Sequence, residues 1–95
     1  MLKHVVMLKF KAGISEADIQ ELEKGLGSLP AKLSQIKGYD FGRDLRSEKT
    51  FDFALVSTFE NFDTLNAYKI HPNHQVVLKK VLELSETVQV VDFEY

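Results

Sequence analysis

At 95 residues, with 44% hydrophobic and 27% charged side chains, the chain has the size and composition of a single globular domain, here taken as residues 1–95, and not of a disordered segment. The net charge of −2 leaves no electrostatic footprint for nucleic acid or an anionic membrane surface. The absence of cysteine excludes a disulfide framework, a thiolate nucleophile and Cys-ligated zinc.

The opening Met1-Leu2-Lys3-His4-Val5-Val6 has no long apolar run, and nothing later approaches the roughly 18 apolar residues of a membrane span. A cytoplasmic protein is expected. Leu2 to Phe10 alternates as a strand, with Leu2, His4, Val6, Leu8 and Phe10 on one face and Lys3, Val5, Met7 and Lys9 on the other. Ser15, with Asp18 three residues on, reads as a helix N-cap, and Ile19, Leu22, Leu26 and Leu29 follow at helical spacing. Pro30 is expected to interrupt this helix, a short second piece continuing through Leu33 and Ile36.

Tyr39 to Leu45 reads as the second strand, the polar run Arg46 to Thr50 as a hairpin loop, and Phe51 to Phe59 as the third strand. Asn61 or Asp63 caps a short helix carrying Phe62, Leu65 and Tyr68. The residue before a proline avoids the helical region, so His71 ends that helix and Pro72 starts the next. Val77, Leu78, Val81, Leu82 and Leu84 form the apolar stripe of the last helix, and Thr87 to Tyr95 is the final strand. The order strand, helix, strand, strand, helix, strand is the ferredoxin-like split β-α-β arrangement, an α+β fold with a four-stranded antiparallel sheet and the first and third strands at its centre.

Helices in this topology cover one sheet face. The second face carries Val5, Met7, Ala54 and Val56, and an apolar face of that kind predicts a partner, most simply a second copy packed sheet against sheet.

The chemistry-bearing residues are Tyr68, His71 and His74, a phenol and two imidazoles within seven residues at a forced helix break, and His4, whose parity points it to the packed side. A neutral imidazole is a general base near neutral pH, and a tyrosine hydroxyl can hold an enolate oxygen. The same residues also read as a core histidine bonded to a backbone carbonyl and a helix junction in which His71 caps the next helix. On one unbroken helix Tyr68 and His74 would lie about 120° apart, so only the break can bring them together. A metal at His71-x-x-His74 needs a further ligand, for which His4 is the one candidate, and no serine sits in a nucleophile elbow. No cofactor or metal is expected.

The segments His4-Val5-Val6-Met7-Leu8-Lys9-Phe10-Lys11, Phe53-Ala54-Leu55 with Phe59-Glu60, Tyr68-x-x-His71-Pro72-x-His74 and Val91-Asp92-Phe93 resemble, in order and over nearly the whole chain, the stress-responsive A/B barrel (Dabb) family. That resemblance implies a dimeric α+β barrel, two ferredoxin-like subunits paired through their sheets. Some plant members are stress-induced proteins without an assigned reaction, and one closes a linear polyketide into a ring. The resemblance to that cyclase implies Tyr68 and His74 as catalytic residues, with His4 and His71 binding or orienting the substrate, a small carbonyl metabolite. Along the first helix the cyclase has bulky apolar side chains where this chain offers Leu22, Glu23 and Leu26 near Gly25 and Gly27, which argues against a long apolar tail. A non-catalytic ligand-binding homodimer uses the same residues, and the haem-degrading and monooxygenase barrels share the architecture by fold analogy alone.

Overall fold

The computed structural model describes residues 1–95. Strand β1 (Leu2–Phe10) leads into helix α1 (Glu16–Lys32), followed by strands β2 (Gly38–Arg43) and β3 (Phe53–Phe59), helices α2 (Phe62–Ile70) and α3 (Pro72–Leu84), and strand β4 (Ser85–Glu94). The strands form one antiparallel sheet in the order β2-β3-β1-β4. All three helices cover the same face. Leu2 and Leu8 of β1 and Phe53, Leu55 and Phe59 of β3 are buried there against Leu22, Leu26 and Leu29 of α1 and Val77 and Val81 of α3.

Ser15 caps α1 as expected, its hydroxyl accepting from the Asp18 amide at 3.1 Å. Pro30, however, does not interrupt the helix, which runs through it to Lys32 and closes with the Leu33 amide donating to the Leu29 carbonyl at 3.0 Å. Proline removes one rung, but Pro30 lies in the last turn, and Leu29 and Leu33 on either side of it are each 1% exposed. Their burial holds the turn against the loss of a single hydrogen bond.

The β2–β3 hairpin is shorter than the alternation predicts. Strand β2 ends at Arg43 rather than Leu45, which is 98% exposed, and β3 begins at Phe53 rather than Phe51. Arg43 turns its guanidinium onto α1, donating to both Glu16 carboxylate oxygens at 2.7 Å and to Glu23 Oε1 at 2.8 Å. Asp52 accepts the Phe10 amide at the end of β1. These side chains are spent tying loop ends to neighbouring elements. Strand β4 begins at Ser85, directly after α3, and stops at Glu94 rather than Tyr95. Phe62 and Leu82, expected on apolar helix faces, are half exposed.

The uncovered sheet face carries Val5, Met7, Ala54 and Val56, joined across the β1–β4 register by Val91 and Phe93. Val91 is 53% and Phe93 47% exposed. No helix is long and apolar enough to cross a membrane.

Candidate functional site

The site forms because the chain breaks between α2 and α3. His71 has φ −65° and ψ 135°, the extended conformation that Pro72 imposes on its predecessor. In an unbroken helix the Asn73 amide would bond the Lys69 carbonyl. Here it donates instead to His71 Nδ1 at 3.1 Å, capping α3. The Lys69 carbonyl, orphaned at the end of α2, is taken by side chains: His74 Nδ1–H donates to it at 3.0 Å, and the Gln75 amide donates to it as well. That bond swings the His74 ring back onto Tyr68, with the ring centroids 4.3 Å apart. Tyr68 is itself seated on Phe59 at 4.9 Å.

His4 comes from the centre of the sheet. It is 7% exposed, and its Nδ1–H donates to the carboxylate of Asp92, its cross-strand partner on β4. The other Asp92 oxygen lies 3.9 Å from Lys69 Nζ. His4, Tyr68 and His74 line one cavity of about 440 Å³ between sheet and helices. Its floor is His4, Val6, Leu55, Val88 and Val90 and its roof Tyr68, His74, Leu78 and Val81; Ile70 and Val90 are the exposed apolar residues of its lining. From α1 it receives only Leu26, since Glu23 is held by Arg43. A separate groove between α1 and α3 is charged, lined by Glu21, Lys24, Lys79, Lys80 and Glu83, and takes none of these residues.

The structure thus gathers three of the four residues singled out from the sequence. His71 does not line the cavity, and its Nδ1 is committed to the helix cap. With His71 turned away, His4, His71 and His74 do not converge on one ion, and no other group of three such side chains gathers as metal ligands would. Asp92, Lys69 and Tyr39 belong to the site and escaped the sequence reading. Asp92 carried a signal: it shares the covered-face parity of Val88 and Val90 and pairs across the sheet with His4.

Burial holds the His74 imidazole below the ordinary value, and the nearby His4 and Lys69 push it the same way against the Lys69 carbonyl. With Nδ1–H spent on that carbonyl, Nε2 is the free basic nitrogen. Burial pushes the Tyr68 phenol up, partly offset by the Tyr39 hydroxyl beside it, so Tyr68 remains a neutral donor. Tyr39 is pushed up by burial and by Tyr68 in turn. The two phenols meet outside hydrogen-bond geometry, leaving the buried Tyr39 hydroxyl without a partner.

The lowered His74 value fixes a sign. Unfolded histidine titrates near about 6.5; below that pH the unfolded chain takes up a proton that folded His74 refuses. Stability from this residue is therefore full above about 6.5 and is lost as pH falls towards the folded value. Urea midpoints measured at pH 7.5 and 5.5 are expected to fall more for the parent than for His74→Gln; equal falls would contradict the assignment.

A family profile described as the stress responsive A/B barrel domain matches residues 2–95. The chain belongs to that family. It is 30% identical over 96 residues to the stress-response A/B barrel domain-containing protein HS1 of Arabidopsis thaliana, covering 98% of this chain and 88% of the relative. It is 33% identical over 76 residues to olivetolic acid cyclase of Cannabis sativa, covering 77% of this chain and 75% of the cyclase. Among solved structures, a dimeric ferredoxin-like protein of unknown function from Bacteroides fragilis superposes with a TM-score of 0.89 at 28% identity, covering 99% of this chain and 95% of that one. This A/B barrel domain therefore has relatives that include a cyclase and a protein described as dimeric.

Proposed function

We propose that this A/B barrel domain is a small lyase- or cyclase-like enzyme that enolises a carbonyl compound of the polyketide type. His74 Nε2 abstracts a proton α to the carbonyl, the Tyr68 hydroxyl donates to the oxygen that becomes the enolate, and His4 orients the substrate from the floor. One observation carries the reading: a neutral imidazole with a free Nε2 and a neutral phenol lie ring against ring on one cavity. A general base of this kind contributes about 10²–10⁴-fold. A volume of about 440 Å³ lies in the range of small-molecule sites, and the single apolar contribution from α1 favours a short substrate over a long-tailed one. The likeness to a cyclase agrees with this chemistry. His71 is left with the helix cap and no part in binding.

The test is solvent exchange. Phenylacetone, whose α-protons leave through an enolate, is expected to take up deuterium from D₂O faster with the protein than with buffer alone, and the excess at the benzylic proton facing His74 should vanish in His74→Gln. A second reading is supported by the mainly apolar lining, 10 of 14 residues: a non-catalytic dimer that only holds an apolar carbonyl metabolite. Binding of phenylacetone with no excess exchange, unchanged in His74→Gln, would favour that reading.

In either case we infer a homodimer through the uncovered sheet face, which would cover Val5, Met7, Val56, Val91 and Phe93. Light scattering is expected to give twice the chain mass. Val91→Arg, which places an unpaired charge in that face, should raise the dimer dissociation constant at least about tenfold. A monomeric parent would exclude the pairing.

A further inference from the structure

Two imidazoles face this cavity, and a cyclase with a single base needs only one. His4 rises from the sheet floor and is 7% exposed; His74 hangs from the roof on the first turn of α3. Each has its Nδ1–H spent, His74 on the Lys69 carbonyl and His4 on the Asp92 carboxylate. In each, Nε2 is left as the nitrogen that can carry a proton to a ligand. Their partners differ in charge. A carbonyl stabilises an imidazolium less than the Asp92 carboxylate does, and Lys69 Nζ lies 3.9 Å from the second Asp92 oxygen. A carboxylate on the covered face of a sheet is costly unless it is paired, as Asp92 is with His4. That difference in partners suits His74 to accept a proton and His4 to give one, from opposite walls of the cavity.

We propose that this is a two-base site, in which His4 and His74 act on the two faces of one planar enolate, so that the protein racemises or epimerises carbons α to a carbonyl. The proposal rests on the enolisation reading above and extends it. On the roof face the C–H bond breaks, its proton passes to His74 Nε2, and its electron pair moves into the enolate held by the Tyr68 hydroxyl. On the floor face the His4 Nε2–H bond breaks and its proton forms the new C–H bond on the same carbon. The carbonyl is restored with inverted configuration, and no oxidant, reductant or co-reactant is consumed. Proton exchange with water at the exposed side of the cavity, where Ile70 and Val90 lie, resets the two imidazoles, and the opposite enantiomer reacts with the roles reversed.

The α-methyl derivative of phenylacetone, chiral at its α-carbon, is the probe, each enantiomer being incubated in D₂O with the full chain. The parent is expected to racemise both, with deuterium entering the inverted product ahead of the recovered starting enantiomer. His4→Gln and His74→Gln should each lower racemisation at least about 100-fold, while each retains exchange with retained configuration for one enantiomer, and not the same one. Because His4 is a core residue, Asp92→Asn serves as the companion variant. It removes the charge behind His4 and should slow the His4 limb selectively, with the His74 limb still exchanging. If the parent exchanges one enantiomer with retention and racemises neither, the site has one base and the proposal fails while the enolisation reading stands. If it exchanges neither enantiomer nor phenylacetone, both fail.

Discussion

His74→Gln is expected to lower enzyme-dependent exchange of the α-proton on the His74 face by about 100- to 10,000-fold, the range of a lost general base, with little change in KM. Glutamine keeps an N–H that can reach the Lys69 carbonyl, so the bond that seats residue 74 survives while the basic Nε2 is lost. Residue 74 would still pack against Tyr68, which leaves the cavity its shape. A loss in kcat with KM held is the signature of an interaction made in the transition state. Tyr68→Phe, which removes the hydroxyl and keeps the ring, should cost about 10²–10³-fold by the loss of one donor to the developing enolate oxygen. The double variant should fall no further than the larger single effect by much, because base and donor serve one step. Single-turnover exchange followed by NMR measures all three. A His74→Gln protein within a few-fold of the parent would remove His74 from the chemistry.

Phe59→Ala should be the most damaging single change to the fold. Phe59 is fully buried at the end of central strand β3, pairs across the sheet with Leu2, and carries Tyr68 at 4.9 Å and the edge of His4 at 6.4 Å. Removing a buried phenyl ring costs about 3–5 kcal/mol, a large share of the about 5–15 kcal/mol that holds a domain together. At a urea slope of about 1–3 kcal/mol per molar, the midpoint should drop by roughly 1–5 M at fixed protein concentration. A shift of a few tenths of a molar would mean that the neighbours close over the gap. Activity should also fall, since the ring is the shelf on which both Tyr68 and His4 rest.

Phe59 and His74 also mark how far sequence reasoning reaches. Phe59 was legible, because a strand repeats every two residues and the parity of Phe53, Leu55, Ser57 and Phe59 assigns a face before any packing is known. The same parity placed His4 under the helices and left Val5, Met7 and Val56 on the uncovered face. The α2–α3 break was equally legible, since Pro72 restricts His71 by local sterics alone. Boundaries were less so. Pro30 breaks a helix by local preference, yet the burial of Leu29 and Leu33 outweighs one lost hydrogen bond.

What the sequence determined by itself was therefore everything set by near neighbours along the chain: element order, the covered and uncovered faces, the helix break, and the presence of Tyr68, His71 and His74 around it. Tertiary structure alone decided which of these meet. The orphaned Lys69 carbonyl draws His74 back onto Tyr68, while His71, nearer in sequence, is spent on the Asn73 amide. Asp92 comes to His4 from 88 residues away through a β1–β4 register that no local pattern encodes. Parity tells a side chain which face it occupies; only the pairing of strands and the seating of helices tell it what stands opposite.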